Sequence, residues 1–370
     1  MIAQIVFWSA TALVAYVYLG YPVVLVLLRM LIHRPVDKQF HEPFVSLIVP
    51  AYNECRVIRE KIRNSLQLEY PPDRLEVVVV SDGSSDGTAE AAQELADGQR
   101  VRVLAFPKNR GKILAMNDAV PQLKGEIVVF SDASAMLMPD SLRELVANFH
   151  DASVGAVSGV YQLKKAEHSS TGGSEQLYWK YETFLKKQEA ALDSTLGGHG
   201  HLHAIRKALY PFPPPGTIND DYVISVRILS QGYRNVYEPK AIGWEEAAEM
   251  AGFGRRVRIM AGNVQQLREI PSLLRRPLPL FFFLSHKLGR LLVPFAMIAA
   301  LAATAFLLND PTYRWLFAVQ AAFYVLAIAG AVIALKPKIL RLPYYFSMIN
   351  LATFLGVYHA LRGGRRMAWK

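Results

Sequence analysis

Carboxylates stand just past the ends of three apolar runs in this sequence. FVSLIVP (44–50) is followed by Tyr52, Asn53 and Glu54, LEVVVV (75–80) by Asp82 and Gly83, and GEIVVF (125–130) by Asp132 and Ser134. Carboxylate and hydroxyl oxygens are hard donors of the kind Mg2+ and Mn2+ take. A carboxylate beside an alcohol can also remove its proton. Asp and Ser in such places are equally common as turn formers and helix caps. SSDGT (84–88) reads that way, so Ser84, Ser85 and Asp86 are expected to be structural. Asp82 and Asp132 together read as a site.

The elements that must position these residues alternate in type. Each short apolar run is followed by a helical pattern: CRVIREKIRNSLQ (55–67), TAEAAQELA (88–96), KILAMNDAVPQL (112–123) and SLRELVANF (141–149), with VRVLAFP (101–107) as a further strand. Alternating strands and helices predict an α/β fold, a doubly wound and mostly parallel sheet. Ligands in such sheets bind outside the carboxyl ends of the strands, where the three carboxylates fall. No G-x-G-x-x-G follows the first strand and no G-x-x-x-x-G-K-[ST] occurs, so hydride transfer and phosphate-loop chemistry are not expected. A nucleotide would be held by carboxylates and a metal.

The 370 residues are 52% hydrophobic and 19% charged, with a net charge of +10. The mean hydropathy of +0.17 calls for apolar segments beyond an ordinary core. A basic balance then favours lipid and phosphate-bearing partners, with no nucleic acid expected. A single cysteine, Cys55, leaves no intramolecular disulfide. Residues 5–32 form a first spanning candidate within an N-terminal segment 1–34, with Pro22 as a potential kink. Arg29, Arg34 and Lys38 follow it, which by the positive-inside rule puts the next domain in the cytosol. Residues 44–245 would be that domain and 246–279 interfacial helices. Three more apolar segments lie within 280–361 and its flank: 279–308, 315–335 and 343–361. His286, Lys287 and Arg290 mark the first half of 279–308 as interfacial. If all three span, the basic tail 362–370 (Arg362, Arg365, Arg366, Lys370) lands outside, against the charge rule.

Seven motifs in order resemble the family 2 glycosyltransferases, inverting enzymes of GT-A fold that include cellulose, chitin and hyaluronan synthases and exopolysaccharide transferases. They are PAYNE, VVSDGSSDGT, NRGKILAMN, VVFSDAS, GGHGHLHAIRKALY, INDDYVISVRILSQGYRNVYEP and FGRRVRIMAGN, between Phe44 and Asn263. The resemblance implies that Ala51, Tyr52, Glu54 and Asp82 hold the uracil and ribose of a UDP-sugar, with Lys112 reaching the nucleotide. Asp132 matches the first carboxylate of the family's D-x-D metal motif, and Ser134 stands in place of the second. Asp220 and Asp221 match its Glu-Asp pair, which makes Asp221 the catalytic base. Arg255, Arg256 and Arg258 occupy its Q-R-x-R-W stretch, Arg255 replacing the Gln and Ile259 the Trp. Arg255 and Arg258 are then expected at the diphosphate, since guanidinium suits it. Gly198, His199 and Gly200 match a glycine-rich acceptor loop, where backbone can approach a sugar closely. The alternation of His199, His201 and His203 fits a strand better than a metal site.

The resemblance implies an integral membrane enzyme of a bacterial-type inner membrane, with its catalytic domain cytosolic. It would move a sugar from a UDP-sugar to a growing surface polysaccharide with Mg2+ or Mn2+ on the diphosphate. The Trp-to-Ile departure leaves room for a non-processive transferase acting on a lipid-linked acceptor. The Ser134 departure leaves room for an inactive membrane scaffold.

Overall fold

The structure is a computed structural model and describes residues 1–164, 172–246, 252–333 and 338–362. Lys336, the tail beyond Arg362 and the start of the 246–279 stretch lie outside the described residues. Eight strands form one sheet: β1 (Val45–Ala51), β2 (Leu75–Asp82), β3 (Val101–Phe106), β4 (Ile127–Phe130), β5 (Met136–Leu137), β6 (Val154–Lys164), β7 (His203–Arg206) and β8 (Arg234–Glu246). Their order is β3-β2-β1-β4-β7-β6-β8-β5. The pairs among β1 to β4 are parallel, as is β6 with β8. β7 runs antiparallel between β4 and β6, and β5 antiparallel on β8.

β1 and β2 are buried along their whole length because helices cover both faces. α1 is the first membrane candidate, Ile2–Leu31. α2 (Ile58–Leu66), α3 (Thr88–Gln93) and α5 (Ser141–Val146) pack on Leu47, Val49, Val77 and Val79. α4 (Lys112–Ala119) and α7 (Asp220–Ser230) cover Ile48, Val78, Val80 and Phe130. Each such aliphatic side chain contributes about 1.5–3 kcal/mol on burial, so the apolar runs between charged helices dictate the layering. α6 (Gly172–Leu192) lies between this sheet and the membrane helices.

Among the described residues, three helices are long and apolar enough to cross a membrane: α1, α9 (Pro277–Ala305) and α10 (Pro311–Val332). α1 widens into a π turn at Tyr16–Gly20, just before Pro22. Proline has no N–H to give the carbonyl four residues back. That carbonyl, on Tyr18, accepts the Tyr181 hydroxyl at 3.0 Å instead. α9 carries a second π turn at Phe283–Leu288, and the two turns meet. Tyr16 and Ser285 share a 2.8 Å hydrogen bond, and Gly289 lets Val17 in so closely that a Cβ would sit 2.8 Å from it.

The interfacial expectation for His286, Lys287 and Arg290 needs correcting for two of the three. His286 is 1% exposed and its Nδ1 lies 2.8 Å from Glu189 Oε1 on α6, which also accepts the Tyr21 hydroxyl at 2.7 Å. Arg290 pairs with Glu182. Both face protein carboxylates rather than headgroups, because an unpaired charge at that depth is far costlier than a paired one.

The last apolar segment forms α11 (Leu342–Leu361), which is not among the three spanning candidates. It lies along α8 (Gly252–Gln265), the helix of the arginine motif. A Cβ on Gly356 would meet Met260 Cβ at 2.6 Å and Ala261 N at 2.8 Å. Gly356→Leu is therefore expected to unseat α11 at a cost of about 1–3 kcal/mol. A melting curve of the detergent-solubilised chain reads this, with Leu351→Ala on an exposed position as control. Equal melting of the two variants would refute the docking.

Candidate active site

The first two loops at the carboxyl edge are stitched to each other. Asn53, at φ +56°, gives its N–H to Ser84 Oγ at 3.1 Å and accepts the Ser85 N–H at 2.9 Å. Glu54 N–H reaches Thr88 Oγ1 at 2.8 Å, and Cys55 N–H reaches Asp86 at 3.0 Å. Ala51 ends β1 in register with Ser81, fully buried, and Tyr52 follows at the sheet edge. Asp82 turns both oxygens to the next loop, accepting Arg110 N–H at 3.1 Å and Gly111 N–H at 2.7 Å. Gly83 makes that approach possible. Its φ is +65°, and a Cβ there would stand 2.2 Å from Asn109 N. Asp82 thus acts on the site by anchoring the loop that delivers Lys112.

Lys112 opens α4 with its ammonium between two carboxylates, 3.0 Å from Asp132 Oδ1 and 3.2 Å from Asp220 Oδ2. Burial acts to push the Asp132 carboxyl up, but Lys112, His201 and Arg255 bring it down to about 2. Burial acts to lower the Lys112 pKa, and the two carboxylates outweigh it to hold the ammonium well above its ordinary range. Asp221, one residue on, is pushed upward by burial and by the Asp220 charge. Lys186 on α6 opposes that rise; it donates to Gly198 O at 3.0 Å and lies 3.3 Å from His199 Nε2. Burial and Lys287 lower its own pKa to about 8.

The glycine loop spans the two acidic ends. A Cβ on Gly198 would lie 3.7 Å from Asp221 Cβ, and one on Gly200 3.1 Å from Asp132 Oδ2. The strand expected through the alternating histidines begins only at His203. His199 and His201 sit in the turn before it, because the pair Phe130–His203 is where β4 stops offering hydrogen bonds. Arg255 and Arg258 on α8 reach the field of this edge. Arg258 is lowered by burial and by Arg255, against the pull of Asp132 and Asp220. Arg256 points away, to the Tyr345 hydroxyl at 3.2 Å.

Three residues that motif reading missed complete the site. Glu245 near the end of β8 accepts the Ser134 hydroxyl on Oε1, and its Oε2 accepts Tyr161 OH at 3.1 Å and lies 3.2 Å from His201 Nε2. Burial raises its carboxyl, and His201, Ser134 and Arg255 outweigh that to hold it at about 2. Lys61, fully buried on α2, donates to Ser131 Oγ at 2.7 Å and to Ala135 O, bracketing the Asp132–Ser134 turn from below. Lys186 is the third. No local pattern marks Glu245 or Lys61: Lys61 stands among the charges of IREKIRNSL and Glu245 beside Glu246, so neither is set apart from its neighbours.

The donor set fits a divalent cation. Glu54 is pushed up by burial and then by the negative charges of Asp132, Glu245 and Asp86, the mark of carboxylates crowded without enough positive charge. Among the described residues, no group of three or more His, Cys, Asp or Glu side chains is placed to hold a metal ion by itself. Asp132 with the Ser134 hydroxyl would hold an ion that completes its shell from water and a diphosphate, as Mg2+ commonly does.

Carboxylates at the edge of a mixed sheet, faced by an arginine helix and flanked by membrane helices, define a glycosyltransferase of GT-A type. Residues 42–263 match the model described as glycosyltransferase like family 2, and the chain belongs to that family. It is 26% identical over 254 residues to a poly-beta-1,6-N-acetyl-D-glucosamine synthase of Staphylococcus aureus, covering 66% of this chain. The chain spans 61% of that synthase's length. It is 33% identical over 173 residues, 46% of this chain and 36% of the relative, to a beta-monoglucosyldiacylglycerol synthase of Trichormus variabilis. The mannosyltransferase PcManGT of Pyrobaculum calidifontis, solved with GDP-Man and Mn2+, superposes with a TM-score of 0.77 at 26% identity. The match covers 97% of this chain and 99% of that one.

Lys112→Met keeps the aliphatic stem and strands two carboxylates, an expected loss of about 3 kcal/mol. Adding Asp220→Asn should recover part of that loss, since one stranded charge goes with it. Denaturant titration of the four-member cycle checks both, and additive losses would refute the bridge.

Proposed function

We propose that this chain is an inverting transferase that moves a sugar from a UDP-sugar to a growing surface polysaccharide, with Asp221 as general base. The observation that carries the reading is the division between two neighbouring carboxyls. Asp132 is held ionised beside Lys112 and Arg255, while Asp221 is pushed toward a more basic value by burial and by Asp220. An acceptor hydroxyl is a poor nucleophile, so Asp221 takes its proton as the bond to the anomeric carbon forms on one face. The diphosphate departs from the opposite face, where Arg255 and Arg258 meet its charge. A bound Mg2+ or Mn2+ would supply further neutralisation of that leaving group. Gly198 and Gly200 bring bare backbone close to both ends, where it could approach the acceptor sugar. Glu54, Tyr52 and Ala51, at the end of β1, would line the base and ribose, with Asp82 acting through the loop.

The acceptor half of the reading is supported by the similarity to a polysaccharide synthase, and N-acetylhexosaminyl transfer is consistent with it. A second reading is a single transfer to a lipid-linked acceptor. It is favoured by the likeness to a beta-monoglucosyldiacylglycerol synthase. Ile259 in place of the family's Trp fits this reading too. The end-to-end match with a mannosyltransferase solved with GDP-Man makes a GDP-sugar a second donor to test. Orientation follows from charge. Arg29 in the last turn of α1, with Arg34 and Lys38 after it, supports a cytosolic domain. With α9 and α10 spanning and α11 lying on α8, Arg341 and Arg362 return to the same side, and the parity conflict disappears.

Nucleotide release with UDP-N-acetylglucosamine and GDP-mannose tests the reading, and sizing of the product separates polymer from single addition. Asp221→Asn should lower kcat/KM by about 10²- to 10⁴-fold. No release by the wild type with any donor would instead favour an inactive scaffold. The pH profile gives a signed test. The base works deprotonated, so the acid limb of kcat/KM should lie above the ordinary carboxylate range. Asp220→Asn removes a like charge, lowers the Asp221 pKa and moves the limb to lower pH. Lys186→Met removes an opposite charge and moves it to higher pH. Shifts in the reverse directions would rule out Asp221 as the titrating base.

A further inference from the structure

Ser134 interrupts the paired carboxylates that the cation end of the site calls for, and the fold brings a replacement from far along the chain. β5 pairs antiparallel with β8, Met136 facing Trp244. One residue beyond that pair, Glu245 arrives beside the Asp132–Ser134 turn. We propose that Glu245 is the second carboxylate of the cation site, a positioning residue that acts through the Ser134 hydroxyl rather than by touching the ion. The inference rests on the reading of Asp132 as the protein's direct carboxylate ligand.

The geometry assigns each oxygen a task. Asp132 Oδ1 is taken by Lys112, which leaves Oδ2, the oxygen facing Gly200, for the ion. The Ser134 hydroxyl has one proton and gives it to Glu245 Oε1. Its remaining lone pairs are then free to face a cation, and donation to a carboxylate raises the electron density on that oxygen. A hydroxyl without such an acceptor would be free to turn its proton toward the ion. Glu245 is itself held from two further directions, by Tyr161 OH at 3.1 Å and by His201 Nε2 at 3.2 Å, and its side chain is 10% exposed. His201 lies one residue after Gly200, so the same contact fixes the loop that faces Asp132 Oδ2. The charge near the turn becomes that of two carboxylates, although the triplet carries one.

Electron paramagnetic resonance of Mn2+ bound to the full chain in detergent, with and without UDP or GDP, tests the assignment without turnover. Glu245→Gln keeps the shape and should weaken Mn2+ binding about 10- to 100-fold. Ser134→Ala should weaken it similarly, and the double variant Ser134→Ala/Glu245→Gln should be no worse than either alone. Ser134→Asp in the Glu245→Gln background restores a carboxylate directly and should return affinity to within about threefold of wild type, a rescue no general loss of packing would allow. Wild-type Mn2+ affinity in Glu245→Gln, additive losses in the double variant, failure of the Ser134→Asp rescue, or no Mn2+ site in the wild type would each overturn the proposal. A chain that binds Mn2+ in this pattern yet releases no nucleotide from any donor would sink the proposed function and leave Glu245 in its place.

Discussion

Asp132 and Asp220 come from different halves of the sheet, and the Lys112 ammonium between them is the contact on which the site depends. Asp132 follows β4 and Asp220 begins α7, separated by the antiparallel excursion through β6 and β7. Two carboxylates at the mouth of a buried edge would repel each other and resist burial together. A cation placed between them turns repulsion into a clasp, and it must come from a rigid place. α4 provides this, because its first turn is tied down by Asp82 accepting the Arg110 and Gly111 N–H groups. The chain of cause runs from a strand-end aspartate, through a backbone loop, to a lysine and then to the two acids.

A second set of charges joins this edge to the membrane helices. Glu182, Lys186 and Glu189 fall along α6 at spacings of four and three residues, so they share one face. Glu182 and Glu189 take Arg290 and His286 of α9, while Lys186 turns to the glycine loop. One face of α6 therefore meets both the apolar helix α9 and the glycine loop that lies against Asp221. The π turns of α1 and α9 let those helices approach closely enough for Tyr21 and His286 to converge on the single oxygen Glu189 Oε1.

Much of this was legible in the residues. The apolar runs announced β1, β2 and β4 because parallel strands buried on both faces need side chains that are apolar throughout. The motif series pointed to Asp132, Asp220 and Asp221, and the structure brings all three to the sheet's carboxyl edge, just after β4 or in the first turn of α7. What stayed hidden was long-range pairing. Glu245 reaches Ser134 only through the β5–β8 register, and Lys61 reaches Ala135 only because α2 lies beneath the turn. Hydropathy likewise registered His286 and Arg290 as polar at the start of an apolar helix, which is the pattern of an interface. Their partners on α6 are about a hundred residues away and leave no local trace. The place of α11 was obscure for a related reason: its small-residue contact with α8 at Gly356 is a matter of shape rather than of hydrophobicity.

The loop from Gly197 to His201 settles how the two ends of the site are spaced. Gly198 lies against Asp221 and Gly200 against Asp132 Oδ2, with one residue between them. Three-residue spacing in extended or turning backbone ties the places of Asp221 and Asp132 together more rigidly than two independent side chains would. The loop is itself held twice, by Lys186 donating to its carbonyls on the base side and by His201 against Glu245 on the cation side. A disturbance of either anchor must therefore reach the other through backbone. Neither position has room for a side chain: a Cβ on Gly198 would stand 3.0 Å from His203 Cβ, and one on Gly200 3.1 Å from Asp132 Oδ2. That is the physical content of the glycine motif here: it lets the loop press close to both acids, while lysine and glutamate on either side hold it there.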